Sequence, residues 1–351
     1  MNSVKRNILV TAVGGRSVGS GILHSLVRSS KDVASRWNVI AADADPFSWG
    51  LYKVDQSVIL PLASDASYID EVKHIVVKNN IDAIIPGSEA EASVLANNKG
   101  LFEVPIVTNK AGLMPLMMDK FAAAEKISEL GLPTIKTYPV ENWKNAISEF
   151  GFPLIVKPTK GTGGSKGVSL CCSQGELDTV LGNLPEDSGY CIQPVIGDGE
   201  DEYTVGVLSD KDGNLIDSIV MRRKLIGLSL LDSKRLNNVD YKISTGYSQG
   251  YFVRNKMVQD FCEYLSHAIG SAGPLNLQLR IHNNKVYVFE IHPRFSGTST
   301  MRADVGFNEP DVLLRNHLFN EKFSRLNYRS EVAVIRAFEH VVVPIDKMLK
   351  R

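Results

Sequence analysis

The sequence predicts an α/β protein: a first domain built on a parallel sheet, then two α+β lobes. Three observations predict it. The opening third alternates β-branched runs with helically spaced segments, the pattern of a parallel sheet with helices packed on it. Further on, that alternation gives way to mixed helices and strands, and then to strands above all. The chain also has 351 residues, too many for one compact core.

The elements follow in order. NILVTAV (7–13) reads as a buried first strand, Gly14, Gly15, Gly19 and Gly21 surround a turn, and GILHSLVRS (21–29) has helical spacing. NVIAADAD (38–45) is a second strand, YIDEVKHIVVKNN (68–80) a helix, and IDAIIPGS (81–88) a strand. EAEASVLANN (89–98) is helical and VPIVT (104–108) closes the first domain, residues 1–112, as a strand. In MDKFAAAEKISELG (118–131) Asp119 stands at the N-cap position and Gly131 at C′. A short strand in LPTIKTYPV, a short helix near Trp143, a hairpin and the helix GELDTVLGNL complete a small lobe, 113–187. The third lobe, 188–325, holds the strands YCIQPVI, EYTVGVLSD, LIDSIVM, LNLQLRI and KVYVFEI, with the helix MVQDFCEYLSHAIG among them. In the tail, 326–351, EVAVIRAFEHVVVP reads as a last strand or two.

Composition narrows the function. Lys+Arg and Asp+Glu are both 39 and the net charge is zero, so neither a nucleic-acid footprint nor a polybasic membrane surface is expected. Cys171, Cys172, Cys191 and Cys262 form no C-x-x-C pair, and a reducing cytoplasm is the simplest home. The apolar run after Lys5 and Arg6 is too short for a signal peptide, and no stretch is long enough to span a membrane.

Chemistry concentrates in two places. VKPTKGTGGSKGV (156–168) carries four glycines and three lysines. A Walker loop needs G-x-x-x-x-G-K-[ST] between a strand and a helix. Here Lys166 lies between Ser165 and Gly167, and the flanks FPLIVKP and GVSLCC both read as strands. The segment is therefore a hairpin whose loop offers glycines for close backbone approach and lysines for charge, or else a solvated hairpin tip. The second place is LNLQLRIHNNKVYVFEIHPRFSG (275–297). Period-two alternation gives Asn276, Gln278, Glu290 and His292 one face. Pairing Gln278 with Glu290 matches the faces and predicts a three-residue loop, 283–285, with Leu279 opposite Phe289. A carboxylate flanked by Phe289 and Ile291 suits a magnesium site, because that ion takes one or two carboxylates and completes its shell with phosphate and water.

Four features thus fall in order: Lys120 in MDKFAAAEKISELGLPT, LIVKPTKGTGGSKGV, CIQPVIGDGEDEYTV, and LNLQLRI with VYVFEIHPRFSG. Together they resemble the ATP-grasp superfamily, in its carbamoyl-phosphate-synthetase-like branch, over nearly the whole chain. The resemblance implies a Rossmann-like pre-ATP-grasp domain followed by a two-lobed ATP-grasp domain. It implies that Lys120 and Lys157 hold ATP phosphates. The loop with Gly161, Gly163, Gly164, Ser165 and Gly167 folds over them. Gln193, Pro194, Val195 and Ile196 form a hinge that reads adenine, and Glu202 takes the ribose hydroxyls. Gln278 and Glu290 hold magnesium, with manganese the alternative ion. His292 stands where relatives often carry asparagine, so it either ligates the metal or contacts phosphate or substrate. Arg294 stabilises an acyl phosphate or the transferring phosphoryl group.

Candidates for substrate contact are Ser88 and Glu89, after a parallel strand, Arg222 and Arg223 in a basic run, and Ser296 and Gly297. Ser88 and Glu89 equally suit a plain helix N-terminus. TAVGGRSVGSG with Asp43 imitates a dinucleotide fingerprint without its spacing. The expected activity is an ADP-forming ligase that joins a small-molecule carboxylate to an amine. The alternatives are a carboxyphosphate or carbamoyl-phosphate maker and an ATP-binding module without catalysis. A homodimer is left open.

Overall fold

A computed structural model describes residues 5–15, 18–160, 165–185 and 189–350. In the first domain, β1 (Arg6–Val10), α1 (Val18–Val27), α2 (Lys31–Arg36), β2 (Trp37–Asp43), β3 (Gln56–Ile59), α3 (Tyr68–Lys78), β4 (Ala83–Ile85) and α4 (Glu89–Asn97) follow one another. The four strands form a parallel sheet of order β3-β2-β1-β4. VPIVT forms only an isolated bridge, Ile84 to Ile106, and β3 was not expected. The strand order reverses between β1 and β4, the position where ligands bind such sheets. There two glycines serve packing: a Cβ on Gly87, just after β4, would lie 1.9 Å from the Thr11 carbonyl oxygen, and one on Gly19, at the start of α1, 2.3 Å from it. Asp43 accepts from the Gly14 amide at 2.9 Å, so it ties the end of β2 to the turn after β1.

The next segment contains α5 (Leu113–Met118), α6 (Lys120–Glu129), β5 (Tyr138–Pro139), α7 (Trp143–Phe150), β6 (Leu154–Pro158), β7 (Ser169–Cys171), α8 (Gln174–Gly182) and β8 (Tyr190–Pro194). Asp119 caps α6 by accepting from the Phe121 and Ala122 amides, and Gly131 takes a positive φ just past its end. The sheet order is β5-β8-β6-β7. The sequence grouped residues from 188 onward with the third lobe. β8 instead pairs with β6, because Ile192 is buried in the core beneath the small sheet. Conversely, Met117 and Ile127 of α5 and α6 belong to the core of the large sheet.

The remaining elements are β9 (Glu202–Ser209), β10 (Leu215–Arg223), β11 (Leu230–Leu236), β12 (Val239–Ser244), β13 (Gly250–Val253), α9 (Lys256–Ala268), β14 (Pro274–His282), β15 (Lys285–His292), α10 (Ser299–Asp304), α11 (Glu309–Phe319) and β16 (Val332–Val334). Six form an antiparallel sheet, β15-β14-β9-β10-β13-β16, and β11 and β12 form a separate hairpin. The tail contributes the single edge strand β16. One continuous core includes Ile22 and Leu26 of α1 together with Phe252, Phe307 and Leu313. The first domain is thereby packed onto the large sheet. Among the described residues no helix is long and apolar enough to cross a membrane.

The hairpin β14–β15 departs from its expected geometry. Asn276, Leu277 and Gln278 face His292, Ile291 and Glu290 as the matched faces require, but Leu279 faces Val288. Phe289 is an extra residue, a β-bulge. The turn is the two residues Asn283 and Asn284, with φ of 49° and 57°, the left-handed values of a type I′ turn. The bulge absorbs the residue that the expected loop had taken up.

Candidate functional site

Two cavities meet at Phe289 and Glu290. The first, between the small sheet and the large one, is lined by Ile155, Lys157, Pro194, Ile196, Ile243 and Gln278 among others. The second is lined by Met117, Lys120, Gln193 and His292. The small sheet covers the first and α5 and α6 flank the second, while Phe289 and Glu290 of β15 line both, so the bulge puts an aromatic ring and a carboxylate side by side at their junction. Lys157 enters from β6 with its Nζ 5.8 Å from the Phe289 ring centroid. Ser165 donates its hydroxyl to the Ser244 carbonyl at 2.8 Å, tying the end of the glycine-rich loop to β12.

The charges are strongly perturbed. Lys157 is 5% exposed, and burial, with repulsion from Lys120 next, brings its pKa from 10.5 to about 8. Burial would raise the Glu290 pKa, but the His292 hydrogen bond and the positive charges of His292, Lys157 and Lys120 outweigh it and leave the carboxyl at about 2. His292 Nε2 lies 3.1 Å from Glu290 Oε2 and Nδ1 lies 3.0 Å from Glu89 Oε1. The second contact is a close charge pair without an aligned hydrogen bond. Burial and Arg294 oppose protonation of His292, yet the two carboxylates win and its pKa is raised. Burial likewise works against ionised Glu89, whose pKa still falls to about 2 because His292 and Arg294 hold its charge. Arg294 donates from Nη2 and Nε to Glu89 Oε1 at 2.6 and 3.2 Å, and from Nη1 to the Phe295 carbonyl at 2.7 Å.

Known proteins match this arrangement. A model of the PylC-like N-terminal domain matches residues 8–107. A model described as ATP-grasp in the biosynthetic pathway with Ter operon matches residues 198–340.

The chain belongs to the ATP-grasp superfamily.

The chain is similar to the carbamoyl phosphate synthase large chain from Clostridium perfringens, 25% identical over 288 residues, 79% of this chain. The match covers only 26% of that relative's length. Among solved structures, the biotin carboxylase domain dimer of Hydrogenobacter thermophilus 2-oxoglutarate carboxylase, in complex with MgADP, ADP and bicarbonate, is 17% identical. Its TM-score is 0.64, with 93% of this chain and 71% of that chain covered. An L-amino acid ligase from Bacillus licheniformis is 16% identical with a TM-score of 0.62, covering 90% and 74%.

In this ATP-grasp chain Lys120, Lys157, Gln193, Pro194, Ile196, Gln278, Glu290 and His292 all line the two cavities. Gly161, Gly163 and Gly164 lie outside the described residues, and Gly167 closes the loop at a positive φ. Gln193 donates its amide to Thr137 at 2.7 Å. The Val195 amide bonds the Pro153 carbonyl, and the Ile196 carbonyl accepts from Arg280. Gln278 Oε1 and Glu290 are two oxygen donors on adjacent strands, a set that fits magnesium. His292 lies between the carboxylates of Glu290 and Glu89, 3.1 and 3.0 Å from them. Among the described residues no cluster of three His, Cys, Asp or Glu side chains could hold an ion.

Other candidates take structural roles. Glu202 also lines the first cavity, is 1% exposed, and has one oxygen on Arg223 and the other on Arg280, both at 2.8 Å, so it balances two buried guanidiniums. Ser88 caps α4 by accepting from the Glu91 amide, and donates its hydroxyl to the Glu91 carboxylate. Strand alternation turns Arg222 outward to Asp201 while Arg223 points in, 3.4 Å from Gln278 Oε1. Ser296 Oγ accepts from Thr298, and the Gly297 carbonyl accepts from Arg336 at 2.7 Å. Sequence reasoning missed Arg280, Phe289 and Arg336. Arg280 shares the alternation of Asn276 and Gln278 and could have been read from it. Arg336, in a tail that bonds across 39 residues, carried no such signal.

Proposed function

We propose that this chain is an ATP-dependent ligase that activates a carboxylate and joins it to an amine. The observation that carries the reading is the meeting of Lys157, Lys120, Gln278 and an ionised Glu290 around one pair of cavities. Phosphoryl transfer needs positioning and charge neutralisation more than a covalent nucleophile. In this reading ATP lies between β6 and β15, with adenine toward Pro194–Ile196 and phosphates toward Lys157 and Lys120. Gln278 and Glu290 would hold magnesium, which would supply charge neutralisation to the phosphates; the MgADP in the 2-oxoglutarate carboxylase domain supports this.

A substrate carboxylate oxygen attacks the γ-phosphorus, the bond to the β-phosphate oxygen breaks, and ADP leaves. Arg294 stands to stabilise the acyl phosphate. The amine nitrogen then attacks the acyl carbon, phosphate departs, and the nitrogen loses a proton to give the amide. A first domain to residue 112, two lobes hinged near β8, a cytoplasmic location and a homodimer belong to the same proposal; the biotin carboxylase domain is described as a dimer. The bicarbonate in that complex keeps carboxyphosphate formation as a second reading.

The test is an ADP-release screen over pairs of carboxylates and amines, with bicarbonate alone as one arm. Acid- and amine-dependent ADP is expected, and AMP as the product would sink the mechanism. Lys157→Ala and Glu290→Ala should each abolish turnover in a folded protein. Retained activity in either would overturn the site.

A further inference from the structure

Arg294 already holds a carboxylate. Its Nε and Nη2 both point at Glu89, which arrives from the other sheet, in the first turn of α4. The pair is incomplete. An ideal guanidinium–carboxylate pair runs two parallel bonds to two oxygens, whereas both Arg294 donors converge on the single oxygen Oε1, at 3.2 and 2.6 Å. Glu89 is fixed to a capped helix and presents one oxygen. A free carboxylate can turn to present both. The Glu89 side chain is 22% exposed, so the contact is open to solvent at one edge. Displaced, Glu89 would still sit at the electropositive end of α4, where a carboxylate is at home.

We propose that Glu89 is a resident stand-in for the substrate carboxylate, which an incoming carboxylate must displace from Arg294. This deepens the ligase reading and rests on it. The resident occupant weakens every external anion, and weakens most those that cannot present two coplanar oxygens. It therefore selects for free carboxylates. It also joins the sheets: Glu89 of α4 bonds Arg294, just past β15, and pairs with His292 of β15, so binding at Arg294 would remove one of these two contacts and loosen the first domain against the large sheet.

The test uses the full chain and acetate as the probe, titrated calorimetrically against chloride at equal ionic strength. With the competitor neutralised, Glu89→Gln should bind acetate at least about ten-fold more tightly than the native protein. Adding Arg294→Ala to Glu89→Gln should remove that gain. Acetate affinity unchanged in Glu89→Gln, or a gain that survives loss of Arg294, would overturn the proposal and leave Glu89 as a latch between sheets. Should Glu89→Gln fold poorly, Glu89→Ala offers a second measurement. Acetate should raise its melting temperature where chloride does not, and no acetate-specific rise would equally overturn the proposal. Neither readout needs turnover, so failure of the ADP-release screen and failure of the displacement are separately visible.

Discussion

Replacing Lys157 with methionine should stabilise the nucleotide-free protein while abolishing ATP binding. The ammonium is 5% exposed, and burial, with repulsion from Lys120, moves its pKa from 10.5 to about 8. A lysine displaced that far holds its charge at a cost of about 3 kcal/mol. Methionine is of similar length and carries no charge, so near neutral pH Lys157→Met should gain roughly 2–3 kcal/mol in unfolding free energy. The sign in pH follows from a folded pKa below the unfolded one. Below about 8 both states carry the proton and the full penalty applies. From about 8 to 10.5 the folded protein has released a proton that the unfolded chain keeps, so native stability rises with pH. The native and variant curves should therefore converge toward the upper end of that window. Urea unfolding without nucleotide, at about pH 7 and about pH 10, measures the difference. A variant less stable than the native protein near neutrality, or a gap independent of pH, would refute the argument that burial of the Lys157 charge outweighs its pairing with Glu290. Calorimetric titration with ATP checks the other half: the variant should show no heat of binding.

Three more outcomes are expected. Glu202→Gln leaves Arg223 and Arg280 buried beside a neutral amide and should cost about 3–5 kcal/mol in urea unfolding; a change under about 1 kcal/mol would show that the pairs are not holding the strands. Asn284→Gly, at a φ of 57° in the β14–β15 turn, should raise stability by about 0.5 kcal/mol, read as a higher melting temperature, and a lower one would count against the type I′ turn. Glu89 and Glu290 both titrate at about 2, below the ordinary 4.5. Their contribution is complete above 4.5 and is lost as pH falls toward 2. Glu89→Gln should then flatten the acid limb of stability against pH, and an unchanged limb would contradict the shift.

The sequence revealed periodic and local features well. Alternation in the opening third specified a parallel sheet, Asp119 and Gly131 bounded α6, and face-matching placed Gln278 opposite Glu290. What it hid was which distant surface an element would meet. β8 has the composition of any buried strand, and only the small-sheet core assigns it. Arg222 and Arg223 are adjacent charges in the sequence and opposite in function, because strand alternation turns one to Asp201 and the other to Glu202. Glu89 and Arg294 are 205 residues apart. Each reads alone as an ordinary charge, and their pairing follows only from packing α4 against the end of β15. Ser88 illustrates the reverse error, since a serine before acidic residues fits a cap as well as a ligand contact.

The bulge at Phe289 explains why the loop length was misjudged while the register of the functional pair was not. In β15 the core-facing residues are Val286, Val288 and Ile291, a set that no strict period of two contains. With a two-residue turn and no bulge, Leu279 still faces Val288, but Leu277 would face Glu290, driving a carboxylate into the apolar core. Lengthening the turn by one residue repairs the inner end of the hairpin and spoils the outer end, setting Leu279 against Phe289 and turning Val288 out of the core. Only an extra residue between Val288 and Glu290 keeps both ends in phase. The unpaired residue then faces the same side as the carboxylate after it, so one local irregularity supplies both an aromatic wall for Lys157 and a carboxylate beside it. The irregularity is written in the sequence as a broken alternation, VYVFEIH, and its position is fixed by the requirement that Ile291 be buried and Glu290 not.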